Sequence, residues 1–207
     1  LYDNYYKSLE TNGLIIKDNN SKGVLIKGYD VYNNKHYIYD SIIDGFLTNN
    51  IKDGVIIGDS LAKQMDVSVG DKIKVAIPKT DKTILGNIPR FKTLKISAIF
   101  NFGLYEYDSN LIFLSSNLVQ KILLYNNDEY NKIEFFIKNP NEVDQFKNHI
   151  QLNISKSKIN LFSISWKDNN KSLINALKVE KNVMFIILSL IIIVASLNII
   201  SGLIIFV

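Results

Sequence analysis

The sequence predicts an α+β domain joined to one long apolar helix, and three observations carry that reading. Over residues 1 to about 166, short apolar runs, some with period-two alternation, are interleaved with helix-length segments. From Asn182 to Val207 there are 26 residues with no charge and no proline. No proline interrupts Lys171–Val207, so a single helix can cover those 37 residues.

The folded part reads in order as follows. Gly13–Lys17 and Gly23–Lys27 are strands. Gly54–Ile57 is an apolar strand, after which Asp59 or Ser60 caps a short helix ending at Met65. Residues 67–71 form a turn. Asp71–Ile77 alternates, with Ile73, Val75 and Ile77 on one face and Lys72 and Lys74 on the other. Lys92–Phe100 alternates again through Leu94, Ile96, Ala98 and Phe100. Leu111–Leu114 is a strand, and Ser115 or Ser116 caps a helix to about Leu124. Lys132–Lys138 is a strand, Asn139–Pro140 opens a helix to about Leu152, and Ile159–Ile164 is the last strand.

Pro78–Arg90 stands out between two well-patterned strands that pair as a hairpin. Read as a loop it has thirteen residues, against the two to five or so usual for hairpins. Its middle carries Ile84, Leu85 and Ile88 around Gly86 and Pro89. Aliphatic residues at a projecting tip point to a partner surface, or to a loop folded back onto its own domain.

The 26-residue apolar run reads as a transmembrane helix, because only an internally hydrogen-bonded backbone is tolerated in hydrocarbon. A buried core helix seldom stays apolar on every face for so long, and the run lies at the wrong end for a signal peptide. A 37-residue helix is about 55 Å long, against a hydrocarbon core of about 30 Å. The expectation is a folded domain at 1–166 with a hook loop at 78–91, a stalk helix at 167–181 and a membrane helix at 182–207. Asn182, Ser189 and Ser196 repeat every seven residues, with Ala195, Asn198 and Gly202 roughly opposite. Small and polar residues at such spacings allow close helix packing in lipid. Asn182, Met184, Ser189, Ser196, Asn198, Ser201 and Gly202 are therefore candidates for helix packing or for a cleft. The lysines before the span, Lys171, Lys178 and Lys181, do not settle its orientation.

Composition narrows the function classes. The net charge is +4, with lysines scattered among acids and no dense basic patch, so nucleic acid is not an expected partner. There is no cysteine, which removes disulfides, thiolate metal sites and cysteine nucleophiles. His36 and His149 are far apart and read as surface residues. No metal site or cofactor is expected, and Glu106, Asp108, Asp128 and Glu129 read as solvated loop acids. Gly58-Asp59-Ser60-Leu61 matches the start of the GDSL esterase signature. However, neither histidine has an Asp three residues before it and no G-x-N-D occurs, so Ser60 reads as a helix cap and no catalytic residue is assigned. No phosphate-binding G-x-x-x-x-G-K-[ST] loop exists, so ATP hydrolysis is expected in a separate subunit.

Several segments in order resemble the LolC/LolE family of lipoprotein-releasing ABC transporter permeases. They are Gly23–Gly28; Val55–Ala62 followed by Val69–Ile73; Leu85–Pro89 leading into Phe91 and the strand Ile96–Phe100; Gly103–Asp108; and Trp166 with Asn175–Met184 and the span through Ser201. The family often has Arg where Lys178 stands, and its loop varies at Arg90 and Phe91. The resemblance implies a MacB-like periplasmic core with a long hairpin hook, on a four-span permease whose second span begins here. It also implies an inner-membrane location, with residues 1 to about 170 in the periplasm. The implied partners are an ABC ATPase subunit, a second permease as homo- or heterodimer, the lipoprotein substrates and a periplasmic carrier. In the LolC type the hook grips that carrier, which here places Thr83, Ile84, Leu85, Gly86, Asn87, Ile88, Pro89, Arg90, Phe91 and Lys92 at the contact. The chain opens on Leu1 and is expected to be a piece of a longer polypeptide. Rival readings are a MacB-type exporter, an FtsX-type mechanical transmitter and a single-span extracytoplasmic sensor.

Overall fold

A computed structural model describes residues 4–29, 37–46, 54–83, 86–156 and 161–207, with the backbone alone over 78–89. His36 and the residues at 84–85 and 157–160 thus lie outside it. The elements run β1 (Asn4–Lys17), β2 (Asn20–Tyr29), a 3-10 turn at Tyr39–Ser41, β3 (Ile42–Gly45), β4 (Gly54–Gly58), α1 (Asp59–Met65), β5 (Lys72–Thr83) and β6 (Gly86–Phe100). Then come α2 (Tyr105–Asn110), β7 (Leu111–Ser115), α3 (Ser116–Leu123), β8 (Lys132–Phe136), a 3-10 turn at Pro140–Glu142, α4 (Val143–Lys156), α5 (Trp166–Asn169) and α6 (Lys171–Phe206).

The two strands built on the apolar runs at 54–57 and 111–114 lie side by side in the sheet. Every residue of β4 and β7 is buried, as expected of strands covered on both faces. Alternate side chains feed two cores. Val55, Ile57, Ile112 and Leu114 join an aliphatic cluster with Leu9, Ile26, Ile73, Val75, Leu94 and Ile96. Ile56, Leu111 and Phe113 face the other way, into an aromatic cluster with Tyr29, Ile38, Ala98 and Phe100. Phe113 meets Phe100 edge-on at 5.4 Å, a favoured ring geometry. Burial pushes the Tyr29 and Tyr37 hydroxyls well above the ordinary tyrosine range.

The ladder closes on itself. In sequence around the ring, β1 pairs β2, β2 pairs β7, β7 pairs β4, β4 pairs β6, β6 pairs β5, and β5 returns to β1. Length makes this possible. The 14-residue β1 pairs β8 through Asn4–Ser8 and β2 through Leu9–Lys17. Two of the contacts, β2–β7 and β4–β6, are parallel.

Helices α1 and α3 pack onto the strands, adding Leu61, Met65, Leu118, Val119 and Leu123 to the aliphatic cluster. Gly58 is tightly packed: a Cβ there meets the Asp108 carbonyl oxygen at 2.1 Å, so only glycine lets β4 pass this close to α2. Asp108 is buried, not a solvated loop acid as expected, because its Oδ1 accepts the Phe102 N–H at 2.8 Å and fastens the turn before α2. Ser60 is not the cap expected of it. It lies within α1, whose N-cap is Gly58 without a side-chain bond, while Asp59 pairs with Lys63 at 2.7 Å. At α3, Ser115 does cap, its Oγ accepting from Leu118 N.

The chain divides into two compact units, Tyr2–Phe136 and Ile137–Val207, whereas the sequence places a boundary at residue 166. In the second unit α4 buries only Val143 and Phe146. Residues 161–164 form no strand, and Ser163 instead bonds Gln151 on α4. Lys147 pairs with Asp168 at 2.7 Å and Lys167 with Asp144 at 2.6 Å, tying α4 to α5. The expected stalk at 167–181 begins later, at Lys171, because a capping box of Ser165 and Asp168 makes a separate turn of α5 and Asn170 leaves helical geometry.

Candidate docking ribbon and membrane helix

Of the thirteen residues read as a loop, those the structure describes form a ribbon. β5 continues to Thr83 and β6 starts at Gly86, so the strands run on as far as the described residues go. The sequence hid this because Pro78, Pro89 and Gly86 are strand-breaking types. Ordinary pairing runs from Lys72↔Lys95 to Ile77↔Arg90. Pro78 and Lys79 are then unmatched, and pairing resumes from Thr80↔Pro89 to Thr83↔Gly86.

What makes this a candidate site is its isolation. β5 pairs β1 only at Lys74, Val75 and Ala76, and β6 pairs β4 only from Lys95 onward. Past Ala76 the two strands pair only with each other among the described residues. Six residue steps from Ile77 to Thr83 span about 20 Å. A lone two-stranded ribbon is marginal in water, and its outer edges offer unpaired backbone groups. At the base, Phe91 is 57% exposed. Arg90 is half-buried and donates to the Ile122 carbonyl at 3.5 Å. Part of its bonding is therefore spent inside the molecule. The side chains of Thr83–Pro89 lie outside the description.

A charged network on the same unit was not singled out from the sequence. Glu134 on β8 meets Lys27 on β2 at 2.7 Å and Lys132 at 3.4 Å, and Lys132 also bonds Glu10 on β1. Burial pushes the Glu134 carboxyl up, but Lys27 and Lys132 outweigh it and hold it below the ordinary range. The charges stitch β8 onto β1 and β2. Their only signal in the sequence is the alternation Lys132-Ile133-Glu134, which names no partner.

The 36-residue α6 contains an 18-residue window of mean hydropathy 2.9, long and apolar enough to cross a membrane, and none of its side chains is buried. Ser189 and Ser196 donate to the carbonyls four residues back, Phe185 and Ile192, both at 2.8 Å. Their hydroxyls are thus satisfied within the helix. Asn198 makes no side-chain hydrogen bond among the described residues, and a Cβ on Gly202 meets nothing within 4 Å. Asn182, Met184 and Ser201 are likewise exposed along α6.

No family model matches the chain. The protein described as "Lipoprotein-releasing system transmembrane protein LolC" of Buchnera aphidicola subsp. Schizaphis graminum is 30% identical over 178 residues, 86% of this chain. This chain is LolC-like. The LolC of Neisseria meningitidis serogroup B is 29% identical over 151 residues, 72% of the chain. The LolC-like chain spans 41% and 35% of those two relatives' lengths, less than half of each. Among solved structures, the periplasmic region of MacB from Actinobacillus actinomycetemcomitans superposes with a TM-score of 0.51 at 13% identity, covering 84% of this chain and 76% of that one. That likeness extends to the fold of the LolC-like chain and no further.

Proposed function

We propose that the chain is the periplasmic domain and second span of an inner-membrane permease subunit, which releases lipoproteins to a soluble carrier with energy from a separate ATPase. The observation that carries this reading is the match to LolC over 178 residues, 86% of the chain. The ribbon supports it: beyond the bulge, about 10 Å of two-stranded hairpin with aliphatic residues at 84, 85 and 88 is a poor structure alone and a good one in a partner's apolar groove. α6 enters the membrane near Asn182, and Lys171–Lys181 stands above it as a stalk continuous with the span. A second permease copy or relative packs against the face bearing Asn198. The chain carries no G-x-x-x-x-G-K-[ST] loop, which supports placing ATP hydrolysis in a separate subunit.

The test is reconstitution. Full-length protein with its ATPase subunit, in vesicles loaded with lipoprotein, releases cargo to soluble carrier only when ATP is supplied. ATP-independent release, ATP turnover by this polypeptide alone, or no release with all parts present contradicts the proposal.

A further inference from the structure

We infer that the ribbon is a fixed elbow: the two-residue bulge at Pro78–Lys79 sets the direction of the distal hairpin, and Arg90 is the positioning residue that braces the base from which it bends. This rests on the docking role proposed for the ribbon but is a claim about its geometry, testable without a partner.

Three features meet at one level. The first is the register. Ile77 opposes Arg90 and Thr80 opposes Pro89, so two residues of β5 lack a partner while β6 runs on without a gap. A bulge bends its strand and increases the local twist. Because the insertion is of two residues, side-chain alternation keeps its phase on both sides.

The second is the pair of prolines flanking the step. Pro78 opens the bulge and Pro89 closes it on the opposite strand. Each fixes its own φ and has no N–H to give to the ladder. Each also confines the residue before it, Ile77 or Ile88, to extended geometry. A bulge so flanked is stiff rather than loose, and it holds one bend.

The third is the brace. α3 ends at Leu123, with Leu124 left-handed at φ 56 and its N–H spent on Gln120 and Lys121. The Ile122 carbonyl, in the last turn of the helix, has no partner further along it. Arg90, in the last pair before the bulge, points its guanidinium there at 3.5 Å, long for one bond but at the negative end of the helix. The base is thus held to α3 directly below the point of bending.

A spin-label pair introduced as Lys63→Cys and Asn87→Cys, in full-length protein with any cysteine outside this chain replaced by serine, reports one distance in nanodiscs; the chain itself has no cysteine. The distal hairpin is about 10 Å long. Deleting Pro78 and Lys79 joins the two ladders in phase with the tip sequence intact. The expected result is a single narrow distance in the parent, moved by about 5 Å or more in the deletion, since the bend is removed. Arg90→Met broadens the distribution at an unchanged mean, and Arg90→Lys restores part of the sharpness. If the deletion does not fold, Pro78→Gly with Pro89→Gly keeps the length and is expected to broaden the distance. An unmoved distance in the deletion, or an unbroadened one in the double glycine variant, overturns the elbow; an unbroadened distance in Arg90→Met overturns the brace. Absence of carrier binding by the parent is a different result, one that removes the docking role and leaves the elbow standing.

Discussion

At Gly58 the fold leaves no room for a side chain, and the structure says by how much. Its backbone geometry, φ −72 and ψ 151, is open to any residue, so Gly58→Ala carries no backbone strain. The cost is contact. The new methyl meets the Asp108 carbonyl oxygen at 2.1 Å, its carbonyl carbon at 2.6 Å and its Cα at 2.7 Å, all backbone atoms that no side-chain rotation moves aside. Relief to normal packing requires α2 to retreat by about 1 Å, which strains the Asp108–Phe102 bond and the aromatic core beside it. Overpacking of this kind costs about 1–3 kcal/mol, and the backbone origin of the clash puts Gly58→Ala at about 3. For a unit of this size that is a fall in Tm of roughly 10 °C. Gly28→Ala, with Leu9 Cβ at 3.1 Å and Ser116 Cα at 3.3 Å, falls between; Gly23→Ala, with nothing within 4 Å, is neutral. Thermal unfolding of the full-length protein, followed by the near-UV bands of the tyrosine cluster, ranks the three. A Gly58→Ala protein as stable as Gly23→Ala refutes the account of this crossing.

Other predictions concern the charges, the caps and the span. Glu134→Gln leaves Lys27, whose side chain is only 15% exposed, without its counter-charge, and costs about 1–3 kcal/mol in urea unfolding at pH 7. Because the folded carboxyl lies below its ordinary value of 4.5, its contribution is complete above that value and is lost as pH falls through the lower folded value. The parent's urea midpoint therefore drops more steeply below pH 4.5 than that of Glu134→Gln, and parallel slopes contradict the pairing. Ser115→Ala removes the α3 cap and lowers stability by about 1 kcal/mol; no loss means the Leu118 N–H finds another acceptor. In the span, Ser189→Ala and Ser196→Ala leave assembly unchanged because their hydroxyls bond within the helix. Asn198→Leu weakens subunit association by roughly 0.6–2 kcal/mol, and equal association in detergent titrations sinks the packing role.

Much of the fold was legible because its signals are local. The apolar runs at 54–57 and 111–114 announced strands, and the structure buries both. The alternation of Ile73, Val75 and Ile77 announced a half-exposed one. The proline-free stretch from Lys171 announced a single helix, and it is one. What was hidden depends on distant partners. Ring closure needs β1 to pair both β2 and β5, and nothing in residues 4–17 names them. Asp108 looked like a loop acid because its acceptor role depends on a backbone N–H six residues away. Ser60 was credited with a cap because serine is a good one, but the strand ends at Gly58 for packing reasons and the helix starts there. The ribbon was mistaken for a loop because proline and glycine ordinarily end strands, and a two-stranded ribbon with a bulge admits both.

The proposed docking of a soluble lipoprotein carrier on this ribbon is decided by one binding measurement. Full-length protein in nanodiscs is titrated with the carrier beside a variant in which residues 83–90 are replaced by a short Gly/Ser turn. Aliphatic anchors buried at the contact contribute about 1–3 kcal/mol each, so losing Ile84, Leu85 and Ile88 together is expected to abolish measurable binding while the thermal unfolding of the domain is unchanged. A variant that binds the carrier as tightly as the parent contradicts the claim.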